Sequence, residues 1–406
     1  MRTLFTCLPG FGHFHPMLPL AKAVRRRGHE VAFASAADFC PVIEHAGFTA
    51  FAAGMSLADQ LEQARRRFPQ EAALGGQQRF CQFVPKMLAG VAAPARAPEL
   101  VAIVERWHPD VIVHDETDFA APVAAAVAGI PYADQSVLIL RPLEMARLAG
   151  QTLAPLCQEW GVELGPFGGM FRYLYLDVCP PSLQSPEIDL VDVAHPVHNV
   201  DVAEAGYEAL PRWFDSLSEA PTVYVSLGTV FNQHREVFAA VLEGLQDEPL
   251  NLILTIGKDN DPAVFGPRPD NVHIERYIPQ SLLLPHCDVA VNQGGTAILP
   301  ILAHGLPILV LPQGANQFHN AAACVAAGAA RQLLPSEVEP AAINRDVGAL
   351  LSESRYRQNA RLVQDELASM PGPDDGARLL ERLHREGRPL IRSQTSARRL
   401  AAQHQA

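Results

Sequence analysis

The sequence lacks the surplus of basic residues that nucleic-acid-binding proteins use. Its 406 residues contain 32 Lys and Arg against 44 Asp and Glu, which gives a formal net charge of -12. Because excess positive charge is needed to neutralise phosphate groups, we expect no nucleic-acid partner. The basic clusters at 25–27 and 65–67 are typical of solvated helix faces.

Paired cysteines and long apolar runs are also missing. The seven cysteines are scattered and none forms a C-x-x-C pair, which favours reduced thiols over a disulfide framework or a zinc site. No uninterrupted apolar run approaches the roughly 18 residues that cross a bilayer. Glycines and histidines interrupt the apolar stretch near the N-terminus, which makes it a poor secretory signal. We therefore expect a cytoplasmic protein without a membrane span.

The sequence does contain a repeated order of short apolar runs, turns and helical patterns. In the first half, predicted strands at 3–8, 30–34 and 111–114 precede helices such as 120–128. In the second half, the predicted strands cover 222–226, 252–256, 272–275, 289–291 and 307–311. This alternation implies parallel strands joined by right-handed crossovers, and therefore α/β sheets.

A proline-rich stretch at 176–221 interrupts this order. We therefore predict two tandem, doubly wound, Rossmann-like domains that face each other across a cleft, where a ligand binds. The predicted boundaries are 1–205 for an N-terminal domain, 206–220 for a linker, 221–387 for a C-terminal domain and 388–406 for a flexible tail.

The first strand-to-helix turn, PGFGHFHP at 9–16, contains part of a dinucleotide-binding fingerprint. Gly10 and Gly12 fit the pattern G-x-G-x-x-G, but His15 stands at the position of the third glycine. Asp38 is only loosely placed to hold a ribose. The fingerprint is therefore weak evidence for a dinucleotide.

In a second interpretation, the same glycines form a tight turn that presents His13 at the rim of the sheet. A neutral imidazole takes a proton from an incoming hydroxyl, and does so better when a carboxylate holds its other nitrogen. Asp115 ends a later strand of the same predicted sheet and is the candidate partner. Alternatively, His13 only caps the following helix, and both interpretations stay open.

The segment 289–321 gives the strongest signal in the second half. One strand ends in a turn that is suited to cradle a phosphate, formed by Gly294, Gly295 and Thr296. The next strand ends in a set of amides, Gln313, Asn316 and Gln317. Because amides both donate and accept hydrogen bonds, they suit a polyhydroxylated ligand. Together these turns predict a nucleotide-sugar site.

Two weaker features belong to the same predicted domain. The turn VSLGT at 225–229 leaves backbone N–H groups and the hydroxyls of Ser226 and Thr229 at a helix start, which favours an anion. In RYIPQ at 276–280, Tyr277 either stacks on a nucleotide base or is a core aromatic before a loop.

These motifs, in this order, resemble those of bacterial family 1 glycosyltransferases of the GT-B fold. The resemblance covers nearly the whole chain, through GHFHPMLPLAKAVRRRGHEV, PDVIVHDETDFAAPVAAAVAGIP, PPSLQ, TVYVSLGTVFN, NVHIERYIPQSLLLPHCDVAVNQGG and HGLPILVLPQGANQFHNAAACVAAGAA. It implies an enzyme of the natural-product and UDP-glycosyltransferase-like type. Such an enzyme transfers a hexose-type sugar from a UDP- or dTDP-linked donor to a hydroxyl of a small lipophilic acceptor. The resemblance also implies an inverting mechanism without a metal or other cofactor, and a homodimer is one possible assembly.

The resemblance assigns a role to each domain and to each matching residue. It implies that 1–205 is an acceptor-binding domain and 221–387 a nucleotide-sugar-binding domain. His13 corresponds to the general base and Asp115 to its carboxylate partner. The donor-binding positions are Ser226, Gly228, Thr229, Tyr277, Ile278, Gln280, Gln293, Gly294, Gly295, Thr296, Asn316 and Gln317. Within this set, Tyr277 and Ile278 correspond to contacts with the base, 294–296 to contacts with the diphosphate, and 316–317 to contacts with the sugar.

Three positions depart from the family pattern. Gln293 stands where the family usually has a histidine that donates to the diphosphate, and the following turn is one residue shorter, which displaces Thr296. Asn316 replaces the acidic residue of an acidic–Gln pair. A charge-assisted hydrogen bond contributes about 1.5–3 kcal/mol against about 1 kcal/mol for a neutral one. Either loss therefore weakens donor binding or marks a different sugar.

Two alternatives to an active glycosyltransferase stay open. One is a catalytically degenerate homologue that acts as a binding protein, and the other is an epimerase on the same fold.

The acceptor is not specified by any motif. Irregular segments at 54–100 and 137–176 carry Met55, Phe68, Phe80, Phe83, Met87, Met145, Met170 and Phe171. These side chains either line an apolar pocket for an aglycone or belong to the core, and the sequence leaves both open.

Overall fold

The protein is described from a computed structural model, which covers residues 1–200, 209–228 and 232–392. Contacts divide these residues into two compact units. The first contains Met1–Cys179, Gln184–Asn199 and the described residues from 370 onward, and the second contains Pro180–Leu183 and the described residues between 200 and 369. Each unit is described by itself.

The first unit is built on a seven-stranded parallel sheet. Its strands are β1 (Arg2–Thr6), β2 (Glu30–Ser35), β3 (Thr49–Ala52), β4 (Val111–Asp115), β5 (Tyr132–Gln135), β6 (Tyr175–Asp177) and β7 (Ala194–Pro196), in the order β3-β2-β1-β4-β5-β6-β7. Its helices up to this point in the chain are α1 (Phe11–Phe14), α2 (Leu18–Arg26), α3 (Cys40–His45), α4 (Leu57–Arg67), α5 (Pro69–Ala72), α6 (Gly76–Met87), α7 (Ala93–Trp107), α8 (Ala120–Ala128) and α9 (Leu143–Glu159). Every residue of β4 is buried, as expected for a parallel strand that helices cover on both faces.

The strand order of this sheet reverses between β1 and β4. Thr6, at the end of β1, pairs with Ala34 of β2 on one side and with His114 of β4 on the other. The loops that follow β1 and β4 therefore leave the sheet at the same edge and side by side. Such a reversal is where open α/β sheets form a ligand crevice.

The second unit is built on a six-stranded parallel sheet. Its strands are β8 (Thr222–Ser226), β9 (Asn251–Thr255), β10 (Val272–Glu275), β11 (Val289–Asn292), β12 (Ile308–Val310) and β13 (Ala330–Gln332), in the order β10-β9-β8-β11-β12-β13. Its helices are α10 (Arg235–Leu245), α11 (Gln280–Leu283), α12 (Ile298–Ala303), α13 (Gln317–Ala326), α14 (Pro340–Ser352) and α15 (Ser354–Ser369). Here the order reverses between β8 and β11, where Ser226 pairs with Asn292. Two doubly wound α/β sheets confirm the predicted fold class.

The last helix, α16 (Pro373–Glu386), belongs to the first unit, although the predicted C-terminal domain ran to residue 387. Its buried face, which includes Leu380 and Leu383, joins the core beside α2. Glu381 accepts two hydrogen bonds of 2.8 Å from Arg27 and a third of 2.8 Å from His29. The prediction was wrong here because periodicity identifies a helix without identifying the sheet on which it packs.

Two other predicted boundaries also differ from the structure. They are the start of the C-terminal tail after α16 and the linker before β8. The flexible tail was predicted from residue 388, but Leu390 is fully buried and donates its N–H to the carbonyl of Tyr173. Of the predicted linker 206–220, the part from 209 onward packs on the second sheet, since Trp213 stacks on His273 with ring centroids 3.8 Å apart. Residues 201–208 and 393–406 lie outside the described residues.

One helical stretch is long and apolar enough to cross a membrane by composition. It runs continuously from Gly76 to Trp107 through α6 and α7, and 72% of its most apolar window is buried inside the protein. A core helix of a folded domain passes the same test. The expectation concerned uninterrupted apolar runs, and Lys86, Arg96 and Glu99 interrupt this stretch. The absence of a membrane span stays a prediction.

Candidate active site

His13 lies on the short helix α1 that follows β1. The predicted tight turn is not formed, because Gly10 is extended (φ -171°) and α1 begins immediately after it, at Phe11. The backbone N–H of His13 donates to the carbonyl of Gly10 at 3.0 Å. Gly12 lies inside the helix, so neither glycine occupies the left-handed region. The loop 7–10 therefore joins β1 to α1, and this helix brings His13 to the edge of the sheet.

Asp115, the last residue of β4, holds the imidazole of His13. The His13 Nδ1 and Asp115 Oδ2 atoms are 2.7 Å apart, and the side chains are 28% and 1% exposed. Thr117 orients the carboxylate through its backbone N–H, which donates to Oδ1 at 2.9 Å, and through its hydroxyl, which donates to Oδ2 at 2.8 Å. The structure therefore brings the two predicted residues together and does not support the interpretation of His13 as a helix cap.

The electrostatics of this pair favour an ionised carboxylate. Burial would raise the pKa of Asp115, but the positive charge and hydrogen bond of His13, the Thr117 hydroxyl and the charge of Arg141 lower it to about 2. With Asp115 ionised, Nδ1 of His13 carries the proton and donates it to the carboxylate. The other ring nitrogen, Nε2, is then the basic lone pair that can accept a proton.

Sequence reasoning missed the other buried charges that surround this pair. His114 Nε2 lies 2.8 Å from Asp134 Oδ1, and Arg96 Nε lies 3.2 Å from Asp118 Oδ2. Burial would lower the pKa of His114, but the charge of Asp134 and their hydrogen bond raise it. In the sequence, the polar run HDETD at 114–118, at the end of an apolar strand, is the feature that could have indicated these pairs. Strand β5 supplies Asp134 and helix α7 supplies Arg96, and local sequence does not reveal either pairing.

In the second unit, the loop after β8 lies beside the loop after β11. The hydroxyl of Ser226 accepts the N–H of Gly228 at 3.3 Å. Gly228 has φ +70°, and a Cβ there would collide with the carboxamide of Gln293. Gln293 is 7% exposed, and its Oε1 atom has no hydrogen-bond partner among the described residues. It fills the space between the two loops where the resemblance implies a histidine. Thr229 lies outside the described residues.

The Gly-Gly-Thr turn has the backbone geometry that the motif predicted. Gly294 has φ +93°, and a Cβ there would lie 2.9 Å from Val310 and 3.0 Å from the carbonyl of Gln317. Its N–H donates to Asn292 Oδ1 at 2.7 Å and its carbonyl accepts from Asn320 Nδ2 at 2.8 Å. These bonds fix the turn, and α12 begins at Ile298 directly after Gly295 and Thr296. Gly295 and Thr296 are half-buried, whereas Gly294 is buried.

The amide side chains after β12 differ in what they contact. Gln317 is buried, and its Oε1 atom accepts the backbone N–H groups of Gln313 and Gly314 at 2.7 and 3.0 Å. Its oxygen is therefore used to fold the turn, which leaves its amide nitrogen for a ligand. Asn316 is the N-cap residue of α13 and its side chain forms no capping hydrogen bond.

The predicted base-binding residues lie between β10 and α11. Tyr277 is 52% exposed and Lys258 Nζ lies 4.9 Å from its ring centroid, so it is not a core aromatic. Ile278 is buried, so its side chain is not available to a base. Gln280 donates from Nε2 to the hydroxyl of Tyr224 at 3.1 Å. Lys258 was not predicted, since nothing in the sequence pairs it with the tyrosine.

The first unit also encloses an apolar cavity of about 370 Å³. Met145, Met170 and Phe171, left open between pocket and core, line it. Met55 lines a second cavity of about 260 Å³ in the same unit. The remaining residues of that set, Phe68, Phe80, Phe83 and Met87, belong to or pack on the hydrophobic core. The acceptor-domain aromatics and methionines therefore divide between pocket and core.

Two further findings concern metals and thiols. Within residues 1–200, 209–228 and 232–392, no group of three or more His, Cys, Asp or Glu side chains is arranged to hold a metal ion. All seven cysteines are free thiols, and four of them are buried.

Comparison with known proteins matches both halves of the chain to one family. The family model described as "Erythromycin biosynthesis protein CIII-like, N-terminal domain" matches residues 22–228, and the corresponding C-terminal domain model matches residues 239–383. The chain is 30% identical to L-demethylnoviosyl transferase of Streptomyces niveus over 380 residues, which cover 92% of this chain and 96% of the relative. It is 30% identical over 432 residues to 4'-demethylrebeccamycin synthase of Lentzea aerocolonigenes, with 94% and 99% covered.

A solved structure matches over the same extent. The glycosyltransferase SsfS6 of Streptomyces sp. SF2575, complexed with thymidine diphosphate, aligns with a TM-score of 0.77 and 25% sequence identity. The alignment covers 94% of this chain and 99% of that one. The match in both sequence and fold therefore extends through both units.

Proposed function

Because the chain belongs to the EryCIII-like family of GT-B glycosyltransferases, we propose that it transfers a sugar from a dTDP- or UDP-linked donor to a hydroxyl of a small lipophilic acceptor. The transfer inverts the anomeric carbon and uses neither a metal nor another cofactor. The observation that carries this proposal is the 2.7 Å contact between His13 Nδ1 and the buried carboxylate of Asp115. It gives an accessible imidazole the orientation of a general base.

In the proposed reaction, His13 removes the proton of the acceptor hydroxyl. Nε2 accepts the proton while the acceptor oxygen forms a bond to the anomeric carbon of the donor. The bond between that carbon and the diphosphate oxygen breaks, and the nucleoside diphosphate leaves with the electron pair. His13 becomes an imidazolium, whose charge the ionised Asp115 stabilises. One displacement at the anomeric carbon inverts its configuration.

The loops of the second unit are proposed to hold the donor. The turn 294–296 takes the diphosphate through the backbone N–H groups of Gly295 and Thr296, because the N–H of Gly294 already donates to Asn292 Oδ1. The exposed ring of Tyr277 stacks on the base, and the backbone of Ile278 contacts it. Ser226, Gly228 and Thr229 extend the diphosphate site, and the amide groups of Asn316 and Gln317 contact sugar hydroxyls. Gln280 supports the site through Tyr224.

In this proposal, backbone N–H groups and not a metal stabilise the leaving diphosphate. Turnover should therefore persist in excess EDTA.

Two neutral side chains stand in the donor site where the resemblance implies charged ones. Gln293 replaces a histidine, and Asn316 replaces a carboxylate. We therefore expect donor affinity below that of a site with both charged groups.

The complement of free thiols supports a reducing compartment, so we place the protein in the cytoplasm. A homodimer stays a prediction, which light scattering on the purified protein tests.

The test of the function is nucleoside diphosphate release with a panel of dTDP- and UDP-sugars and hydroxylated aromatic acceptors. We expect release that depends on both substrates and a product whose mass increases by one sugar, with inverted anomeric configuration by proton NMR. Donor binding without release in any combination would instead indicate a degenerate homologue. Conversion of the donor sugar without an acceptor would indicate an epimerase.

A further inference from the structure

The apolar cavity of the first unit contains one polar feature, an ion pair between Glu116 and Arg141. The Arg141 Nη2 atom lies 3.1 Å from Glu116 Oε1, and the two side chains are 15% and 1% exposed. The other lining residues are apolar and include two aromatics and two methionines, Phe119, Phe171, Met145 and Met170. Flat faces and polarizable sulfur atoms suit an aromatic ring.

This ion pair leaves hydrogen-bonding capacity unused. Neither carboxylate oxygen of Glu116 accepts a well-aligned hydrogen bond from a described residue, and Arg141 Nε donates none. A carboxylate offers about four acceptor positions, and buried polar groups are normally satisfied. Burial raises the pKa of Glu116, with the charge of Arg141 opposing it. A bound group that both donates and accepts a hydrogen bond would satisfy both side chains.

The ion pair also lies close to the proposed general base. Glu116 directly follows Asp115 at the end of β4. The charge of His13 acts on the pKa of Glu116, and the charge of Arg141 acts on the pKa of Asp115. The polar end of the cavity therefore lies at the same strand end as Asp115, the residue that contacts His13, and an acceptor hydroxyl must come close to this strand end for its proton to be removed.

We infer that Glu116 and Arg141 select acceptors that carry a second hydroxyl beside the one that receives the sugar. The second hydroxyl donates to Glu116 and accepts from Arg141, while the apolar walls hold a compact aromatic aglycone. This inference rests on the proposed function, and it adds the substrate class to it.

The test compares two acceptors that differ by one hydroxyl, 2,3-dihydroxynaphthalene and 2-naphthol. Naphthol fluorescence gives their dissociation constants without a donor, and diphosphate release gives kcat/KM with one. In the wild type we expect the diol to be preferred by about 10- to 100-fold in both measurements, as for a hydrogen bond to a charged group. Glu116→Gln and Arg141→Met should each reduce this preference at least fivefold. Near-ultraviolet circular dichroism shows whether each variant is folded.

The matched control is Glu144→Gln, which changes a highly exposed carboxylate on α9. It should leave the preference for the diol as in the wild type. The inference is overturned if the wild type binds neither probe or prefers the diol only about twofold, the statistical value for two equivalent hydroxyls. It is also overturned if either folded variant keeps the full preference. A preference seen in binding without diphosphate release would support the inference and count against the proposed function.

Discussion

Replacing Asp115 by asparagine separates the charge of this residue from its shape. Asn keeps the size of the side chain, and its Oδ1 can still accept the hydrogen bond that the Thr117 N–H donates. Its Nδ2 cannot accept the one that the Thr117 hydroxyl donates to Asp115. It removes the negative charge that lies 2.7 Å from His13 Nδ1. We therefore expect a folded variant that binds donor normally and turns over slowly.

The size of the effect follows from the pKa of Asp115. Burial would raise this pKa, yet His13, Thr117 and Arg141 lower it from its ordinary 3.8 to about 2. At about 1.4 kcal/mol per pH unit, the surroundings favour the charged carboxylate by about 2.4 kcal/mol. Thr117 and Arg141 contribute part of this value and remain in the variant, so about 2.4 kcal/mol is an upper bound on what the imidazolium of His13 loses in the transition state. We therefore expect kcat to fall by about 10- to 50-fold, below the ~10,000-fold limit of a general base.

The assay is diphosphate release at saturating donor and acceptor, with donor affinity measured by calorimetry. The matched control is Asp374→Asn on α16, an exposed carboxylate that lies 3.6 Å from Arg26. We expect this control to match the wild type in both measurements. A kcat for Asp115→Asn within threefold of the wild type would refute the role given to the charge.

The same substitution should also change stability with a defined pH dependence. Because the folded-state pKa of Asp115 lies below its ordinary value, the ionised group stabilises the fold above about pH 4. This contribution is lost as the pH falls through about 2. The difference in unfolding free energy between the wild type and Asp115→Asn should therefore shrink between these pH values in denaturant titrations.

Three other predictions concern the donor site, the buried carboxyl of Asp177 and the C-terminal segment. Gln293→His should bind dTDP several-fold more tightly by calorimetry, because a charged donor replaces a neutral one; weaker binding would contradict the role given to this position. Burial raises the pKa of Asp177 to about 7. The wild type should therefore lose unfolding free energy as the pH rises from about 4 to about 7, whereas Asp177→Asn should not. Parallel pH profiles of the two proteins would contradict the raised pKa. Leu390→Ala should cost about 2–5 kcal/mol of unfolding free energy because the side chain is fully buried; a cost under about 0.5 kcal/mol would support the predicted flexible tail instead.

The sequence predicted the sheets well where their strands are long and continuously apolar. Strand β4 was predicted because parallel strands are buried on both faces and read as apolar runs. Strands β6 and β7 were missed because each has three residues and lies within a proline-rich stretch. The packing of α16 was mispredicted because Arg27 and His29, which bind Glu381, are more than 350 residues away.

The candidate site was predictable where it depends on strand ends. His13 and Asp115 follow strands that share an edge of one sheet, so the pairing followed from the topology. The partner of Glu116 was not predictable, since Arg141 lies in an irregular segment without a motif. The use of the Gln317 oxygen by the backbone of its own turn was equally hidden, because an amide motif does not show which of its atoms are already bonded.

The central claim is that His13 removes the acceptor proton during glycosyl transfer. The most direct measurement is single-turnover diphosphate release by His13→Ala at saturating donor and acceptor, with dTDP affinity measured on the same preparation. We predict a rate about 100- to 10,000-fold below the wild type, with dTDP affinity within twofold. Release at close to the wild-type rate would contradict the account.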